Sequence, residues 1–140
     1  MADPERYGYK RLEVYQLAHA FGIRIHAMTM KLPGFEFFGE GDQIRKSSKS
    51  TSAQIVEGYG LRKYRDEFLH YLHRALASSD ETREHLDYLF ETRSLKDAAE
   101  HAALGADCDR LNGKLGRFII GVERHHSRPY YLRKPGSDSR

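Results

Sequence analysis

The sequence has a single cysteine and no long apolar run, and each shortage excludes a class of protein. Cys108 cannot form an internal disulfide and has no second cysteine with which to build a zinc site, so we expect it to be a small core residue. No window approaches the roughly 18 continuous apolar residues of a membrane span, and the polar start, MADPERYGYKR, lacks the charged-then-apolar plan of a signal peptide. We therefore expect a cytoplasmic protein that makes no use of a membrane.

The stretch QIVEGYGLRKY, residues 54–64, contains two closely spaced glycines but lacks the features of a phosphate-binding loop. Such a loop places its glycines before a helix, where free backbone N–H groups point at the anion. Here Gly58 and Gly60 follow a predicted helix, no strand precedes them, and no Gly-Lys-Ser/Thr ending is present. We expect the two glycines to close the helix by taking the left-handed conformation.

Charge is unevenly distributed along a chain whose net charge is only +3. Residues 43–65 carry six Lys or Arg against one carboxylate, residues 117–140 carry six against two, and residues 66–100 carry four against nine. Such sectors create local fields that a chain average hides. They permit complementary contacts between subunits, a basic face for nucleic acid, or merely a mixed, solvated surface.

Apolar and small residues recur at alternating steps of four and three, which is typical of helices that pack along a seam. The first predicted helix spans roughly 11–32, the second runs near 41–58, and the third, the longest, covers about 64–92. The fourth follows despite four glycines that lower its helix propensity. The seam residues are Val14, Ala18, Phe21, Ile25, Met28 and Leu32, then Ile44, Ser48, Thr51 and Ile55, then Phe68, Leu72, Ala75, Ser79, Thr82, Leu86 and Leu89, and finally Leu104, Cys108, Leu111, Leu115, Phe118 and Val122.

Short connections between long amphipathic helices favour antiparallel neighbours. The sequence therefore predicts an all-α fold, a single-domain, up-down-up-down four-helix bundle, and 140 residues suffice for one independent core. We expect the bundle at 11–124, after an N-terminal arm at 1–10 and before a basic flexible tail at 125–140.

The second predicted helix is rich in small residues and shows three sectors when it is stepped at about 100° per residue. Beside the seam runs a polar stripe, in which Glu57 is expected to be a mostly buried hydrogen-bond anchor near the helix end or at a subunit boundary. The third sector is basic and continues into the following turn. The polar stripe consists of Ser47, Ser50, Gln54 and Glu57, and the basic residues are Arg45, Lys46, Lys49, Arg62, Lys63 and Arg65.

Residues 50–60, Ser-Thr-Ser-Ala-Gln-Ile-Val-Glu-Gly-Tyr-Gly, resemble the signature of the four-helix-bundle proteins encoded in intervening sequences of bacterial 23S ribosomal RNA. In that signature a serine is followed by Asn-Ile-Ala-Glu-Gly and then by an aromatic residue, glycine and arginine. Gln54 replaces the usual Asn, and Leu61 separates Gly60 from the arginine. The resemblance covers about residues 7–120, and its further matches are Tyr9 to Tyr15, Phe68-Leu69 to Leu72, Ala75, Ser78 and Glu81.

The resemblance implies a small bundle that assembles into a homopentamer, with no established catalytic activity and no cofactor. A related branch looks like the accessory protein of diversity-generating retroelements, which works with a reverse transcriptase and binds nucleic acid through a basic surface. RNA or DNA and a reverse transcriptase are therefore the expected partners. Together with the polar stripe, the resemblance assigns structural or interface roles to Ser50, Gln54, Glu57, Gly58, Ser78 and Glu81.

Two patterns would instead indicate an enzyme. The pairs Glu67/His70 and Glu123/His126 are similar to the Glu-x-x-His pairs of di-iron bundles, but His70 lies roughly 160–200° from the seam, so no metal site is predicted. Arg65 and His70 also match the Arg-x4-His spacing of HEPN-type helical ribonucleases, in which these residues bind phosphate and carry acid/base cleavage. With 23 cations and eight histidines, such a spacing arises readily by chance.

The sequence favours a non-enzymatic, oligomeric bundle that presents the six basic residues of 43–65 to RNA or DNA. It would serve as an accessory subunit of a reverse-transcriptase or rRNA-associated system, and it would not read base pairs, because no recognition motif is present. Two alternatives stay open. One is a pure assembly scaffold whose charge sectors are used for subunit contacts, and the other is a HEPN-like ribonuclease.

Overall fold

Four long helices account for most of residues 7–126, which are the residues described by the structure, a computed structural model. They correspond to the four predicted helices, so the all-α bundle is confirmed. In chain order the elements are a 3-10 turn at Gly8–Arg11, α1 at Glu13–Thr29, a short α2 at Gly34–Phe37, α3 at Glu40–Gly60, α4 at Arg65–Glu91 and α5 at Ala98–His125.

Each long helix packs against two neighbours and runs antiparallel to them. α3 lies between α1 and α4, and α5 closes the ring between α4 and α1. Glu40, at the start of α3, bonds His85 late in α4, whereas Gly58, near the end of α3, packs on Tyr71 early in α4. The up-down-up-down order is therefore the one predicted.

The core follows the predicted seam closely. Every seam position of α1, α3 and α4 is buried, including the leucine that follows α1. In α5 the seam is correct through Leu115, but Ile119 completes it, while Phe118 and Val122 are only half-buried against its edge. An α-helix has 3.6 residues per turn, so a strict alternation of three and four drifts off the seam over a long helix.

The approach of α3 to α4 depends on small residues. A Cβ on Gly58 would lie 3.1 Å from Tyr71 Cβ, and the Oγ1 of Thr82 lies 2.8 Å from the Oγ of Ser47 in a fully buried contact. The prediction that Gly58 and Gly60 close the helix in the left-handed conformation is wrong. α3 continues to Gly60, neither glycine has a positive φ, and Gly58 serves close packing instead.

The predicted N-terminal arm and basic tail lie largely outside the described residues. Within the described part, Gly8 is buried in the 3-10 turn, which packs on α1 and α3, and α5 ends at His125. The opposite end of α5 is fixed by Asp97, whose side chain accepts hydrogen bonds from the backbone N–H groups of Ala99 and Glu100.

Candidate nucleic-acid interface

Arg45, predicted as a surface cation, is largely buried at a helix junction. Its guanidinium lies 4.0 Å from the centre of the Phe37 ring, and its Nη2 donates to the Phe37 carbonyl at 2.9 Å. Its side chain is 12 % exposed, against 70 % for Lys46. This corrects the sequence prediction, which had no signal for α2 and therefore placed Arg45 on the solvent face.

Lys46 and Lys49 remain exposed on α3. Lys46 Nζ lies 2.9 Å from the Asp42 carboxylate one turn earlier, so part of its charge is neutralised locally. Lys49 Nζ lies 3.0 Å from His26 Nδ1 on α1. Lys46 therefore contacts a carboxylate, whereas Lys49 contacts an imidazole.

The other three predicted cations occupy the α3–α4 turn, where Arg62 and Arg65 have structural contacts. Arg62 stacks its guanidinium 4.0 Å from the Tyr59 ring centre, and Arg65 Nη2 donates to the Glu123 carbonyl at 2.7 Å. His126 Nε2 contacts the Arg62 carbonyl, so the end of α5 is held against this turn. Lys63 between them is exposed.

The structure adds cations from distant segments that are not among the six predicted at 43–65. Lys10 and Arg11 in the 3-10 turn and Arg124 near the end of α5 are exposed, and they lie at the end of the bundle where the α3–α4 turn is found. We call this group the basic end. Its members are Lys10, Arg11, Arg62, Lys63, Arg65 and Arg124.

Aromatic rings accompany the basic end. Tyr9 contacts both Tyr15, with ring centres 4.9 Å apart, and Tyr59, at 6.4 Å, in edge-to-face geometry. Tyr15 in turn stacks on His19 at 5.5 Å. These rings join the start of the described chain to the end of α3; in the sequence, Tyr9, Tyr15 and Tyr59 stood out only as matches to the family signature.

The predicted structural residues fall mainly at the α3–α4 contact. The hydroxyl oxygens of Ser50 and Ser78 are 3.2 Å apart, which joins the two helices. Gln54 is half-buried, and its Oε1 has no hydrogen-bond partner among the described residues. Glu81 is exposed, and its carboxylate contacts Nε2 of His85. Nδ1 of the same histidine lies 2.6 Å from the Glu40 carboxylate on α3.

The expectation that Glu57 is a buried anchor is wrong within the chain. Its side chain is exposed, and no hydrogen bond to its carboxylate is found in residues 7–126. A carboxylate on a long side chain near a helix end remains hydrated, since burial without a partner is costly. Whether Glu57 meets another subunit is a separate prediction.

The two enzyme-like patterns do not come together within one chain. Arg65 and His70 are five residues apart on α4, hence about 140° apart around the helix, and Arg65 already binds the Glu123 carbonyl. Over residues 7–126, no three His, Cys, Asp or Glu side chains are grouped so that they could hold a metal ion.

Cys108 is fully buried, as predicted for a small core residue. Burial raises the pKa of its thiol above the ordinary value, and the neighbouring Ser79 hydroxyl opposes that effect only in part. The arrangement is typical of an inert structural cysteine.

No helix in the described part of the chain is long and apolar enough to cross a membrane. A comparison with curated proteins finds no match. Among solved structures, the chain is similar to a protein of unknown function from the S23 ribosomal protein family of Bacteroides thetaiotaomicron. The two share 25% sequence identity with a TM-score of 0.69, and the alignment covers 76% of this chain and 95% of the other.

The family model of the 23S rRNA-intervening sequence proteins matches residues 10–117, which include all of α1, α3 and α4 and most of α5. The match thus extends over well more than half of the chain and confirms the resemblance that rested on residues 50–60. The chain belongs to the family of 23S rRNA-intervening sequence proteins.

Proposed function

We propose that this protein is a homo-oligomeric bundle that binds RNA or DNA through phosphate contacts and does not cleave it. The observation that carries the proposal is the placement of residues 43–65, which hold five Lys or Arg besides the largely buried Arg45, against one carboxylate. They form most of α3 and its following turn, and they lead into the basic end, where Lys10, Arg11 and Arg124 join from other segments. Lys or Arg side chains grouped in this way neutralise phosphates without reading sequence.

The structure changes which residues carry the proposal. Arg45 is withdrawn from the set, because its guanidinium is used within the bundle. Lys49 and Lys63 are exposed and remain, and Lys10 and Arg124 are added. Exposed tyrosine next to these cations, such as Tyr7, would support stacking on an unpaired base.

We propose that the oligomer is a homopentamer, as the family resemblance suggests. Large aromatic side chains are exposed at Phe35 in α2, at Phe38 directly after it and at Tyr88 on α4. Exposure of such groups to water does not stabilise a single chain, whereas a contact between copies would bury them. The basic segment 43–65 and the acidic segment 66–100 would suit head-to-tail contacts around a closed ring. Sedimentation should give a mass of several times 16.2 kDa, and a single-chain mass at micromolar concentration would refute this part.

An accessory role beside a reverse transcriptase or an rRNA-associated enzyme extends the proposal. It is supported by the family resemblance and by the exposed surface that the bundle offers. Co-purification of this protein with a candidate reverse transcriptase, with and without nuclease treatment, would separate a direct protein contact from one bridged by nucleic acid.

The central test measures binding as a function of salt. Labelled single-stranded RNA, duplex DNA and an RNA–DNA hybrid would be titrated with the parent protein and with Lys10→Glu/Lys63→Glu. We expect the parent to bind tightly at low salt, and a plot of log Kd against log salt concentration should be a straight line. For the variant, the slope of this line should be smaller by about 0.7–0.9 for every phosphate that it no longer neutralises. The matched control is Lys96→Glu/Arg110→Glu, which makes the same charge change at exposed positions outside the basic end.

Each alternative predicts a different result. A pure scaffold would not bind any of the three probes near physiological salt. A ribonuclease would shorten the RNA, and the shortening would depend on Arg65 and His70. Equally weakened binding in the variant and the control would show that net charge, rather than the basic end, governs affinity, and the tail cations Arg128, Arg133 and Lys134 would then be tested next.

A further inference from the structure

We propose that the groove between α1 and α3 binds a short stretch of single-stranded nucleic acid. This inference rests on the proposed function and specifies both the form of the nucleic acid and its path across the bundle. The groove has a volume of about 350 Å³, and we call it the α1–α3 groove. Its lining consists of His19, Gly22, Ile23, His26, Lys49 and Ser52.

The lining favours an anionic occupant. It contains one lysine and two histidines and no carboxylate. Lys49 Nζ donates to His26 Nδ1 at 3.0 Å, which requires that Nδ1 carry no proton. The proton of neutral His26 is therefore on Nε2, and Lys49 keeps two further N–H groups, so both side chains can still donate to a phosphate oxygen. The acidic residue nearest along α1, Glu13, pairs with Lys114 on α5.

Apolar and aromatic surface lies next to these donors. Ile23 is 59 % exposed although it lines the groove. One turn earlier on the same side of α1, the His19 ring stacks on Tyr15 with planes 25° apart. The faces of unpaired bases bind apolar and aromatic surface of this kind, whereas a duplex keeps its base faces stacked inside. The combination therefore fits a single strand better than a duplex.

The groove leads to the basic end. Tyr15 contacts Tyr9, Tyr9 contacts Tyr59, and the Arg62 guanidinium lies over the Tyr59 ring. From Lys49 to Tyr59 the path along α3 is about 15 Å at 1.5 Å per residue. That length accommodates up to about four nucleotides, because a stacked strand rises about 3.4 Å per nucleotide and an extended strand rises more.

The test removes the apolar surface without altering charge. Ile23→Ser should weaken binding of a labelled single-stranded oligouridylate about tenfold, which is the scale expected for one base contact. Binding of duplex DNA, which would use phosphate contacts at the basic end, should change less than about twofold. The matched control is Met30→Ser, since Met30 directly follows α1 and is 61 % exposed but does not line the groove.

A second pair of variants changes the charge of the groove wall instead of its apolar surface. Ser52→Glu places a carboxylate in the groove wall, whereas Ala53→Glu places one at the next, exposed position outside the lining. We expect only Ser52→Glu to lower single-strand affinity strongly, because a like charge would face the phosphates. Thermal melting and sedimentation of all four variants would confirm that they fold and assemble as the parent does.

The outcomes separate this inference from the proposed function. If the parent binds no nucleic acid, both are overturned. If the parent binds but neither Ile23→Ser nor Ser52→Glu differs from its control, the α1–α3 groove is overturned while the proposed function stands. A change of oligomer mass in Ile23→Ser alone would overturn the inference as well, because the groove would then be a contact between copies.

Discussion

The Arg45 guanidinium lies on the Phe37 ring, 4.0 Å from its centre, while its Nη2 donates to the Phe37 carbonyl. One arginine thereby ties the short helix α2 to the first half of α3. The same side chain approaches Asp42 at 3.8 Å, so its charge is engaged inside the bundle rather than displayed to solvent.

Arg45→Ala should therefore destabilise the protein without weakening nucleic-acid binding. Removal of a charge-assisted hydrogen bond and a cation–π contact should lower the free energy of unfolding by about 2–3 kcal/mol. Lys46→Ala is the control and should change it by less than about 1 kcal/mol, because that side chain makes only an exposed ion pair. Urea denaturation followed by circular dichroism measures both. Unchanged stability in Arg45→Ala would mean that the contact with Phe37 contributes nothing.

Gly58→Ala should destabilise the bundle although alanine is the better helix former. The added Cβ would lie 3.1 Å from Tyr71 Cβ and 3.4 Å from the Phe68 carbonyl oxygen, so α3 and α4 would have to separate. We expect an overpacking cost of about 1–3 kcal/mol, offset by a propensity gain of at most about 1 kcal/mol. Gly116→Ala, which has nothing within 4 Å, should instead stabilise α5 by about 0.5–1 kcal/mol. Thermal melts of both variants compare the two; stabilisation by Gly58→Ala would contradict the close approach.

Glu57→Ala should change the free energy of unfolding by less than about 0.5 kcal/mol, because its carboxylate is exposed. Sedimentation of the same variant addresses its role between subunits. A smaller oligomer would place Glu57 at a subunit boundary, and a large drop in stability with unchanged mass would contradict the exposed position.

Cys108 should react slowly with iodoacetamide in the native protein and rapidly in denaturant. Burial raises the pKa of its thiol, so the folded protein holds this proton to a higher pH than the unfolded chain does. The stability from this group is complete below the ordinary thiol pKa of about 8.5 and is lost as the pH rises towards the raised value. The parent should thus lose more stability above that pH than Cys108→Ala does. Equal labelling rates in native and denatured protein would contradict the burial.

The sequence was sufficient for the helices because their seams repeat over many turns. Seventeen positions predicted for the seams of the first three long helices are all buried, since each helix must cover one apolar side to be stable. The four residues of α2 are too few to show any periodicity, so α2 was not predicted, and Arg45 was therefore wrongly predicted to face the solvent. A single turn leaves no repeated signal.

The candidate site was less predictable because its residues are brought together by tertiary contacts. Tyr9 and Tyr59 meet only after the 3-10 turn has packed on α3, and Arg65 reaches a carbonyl near the end of α5. Burial along the polar stripe of α3 was equally hard to predict from the sequence. Ser47 and Glu57 lie on one stripe, but Ser47 is buried because its hydroxyl donates to the Ile44 carbonyl of the same helix, whereas the Glu57 carboxylate remains in water.

An even number of antiparallel helices brings Tyr7 and His126 to the same end of the bundle, beside Lys63. Both ends of the described residues 7–126 therefore lie next to the basic end. The connection between α4 and α5 lies at the far end and includes the exposed Lys96. A fluorophore attached there would lie far from the basic end and close to α2, since the Ser94 hydroxyl of this connection donates to the Glu36 carboxylate, and it would therefore report assembly at the exposed Phe35 and Phe38.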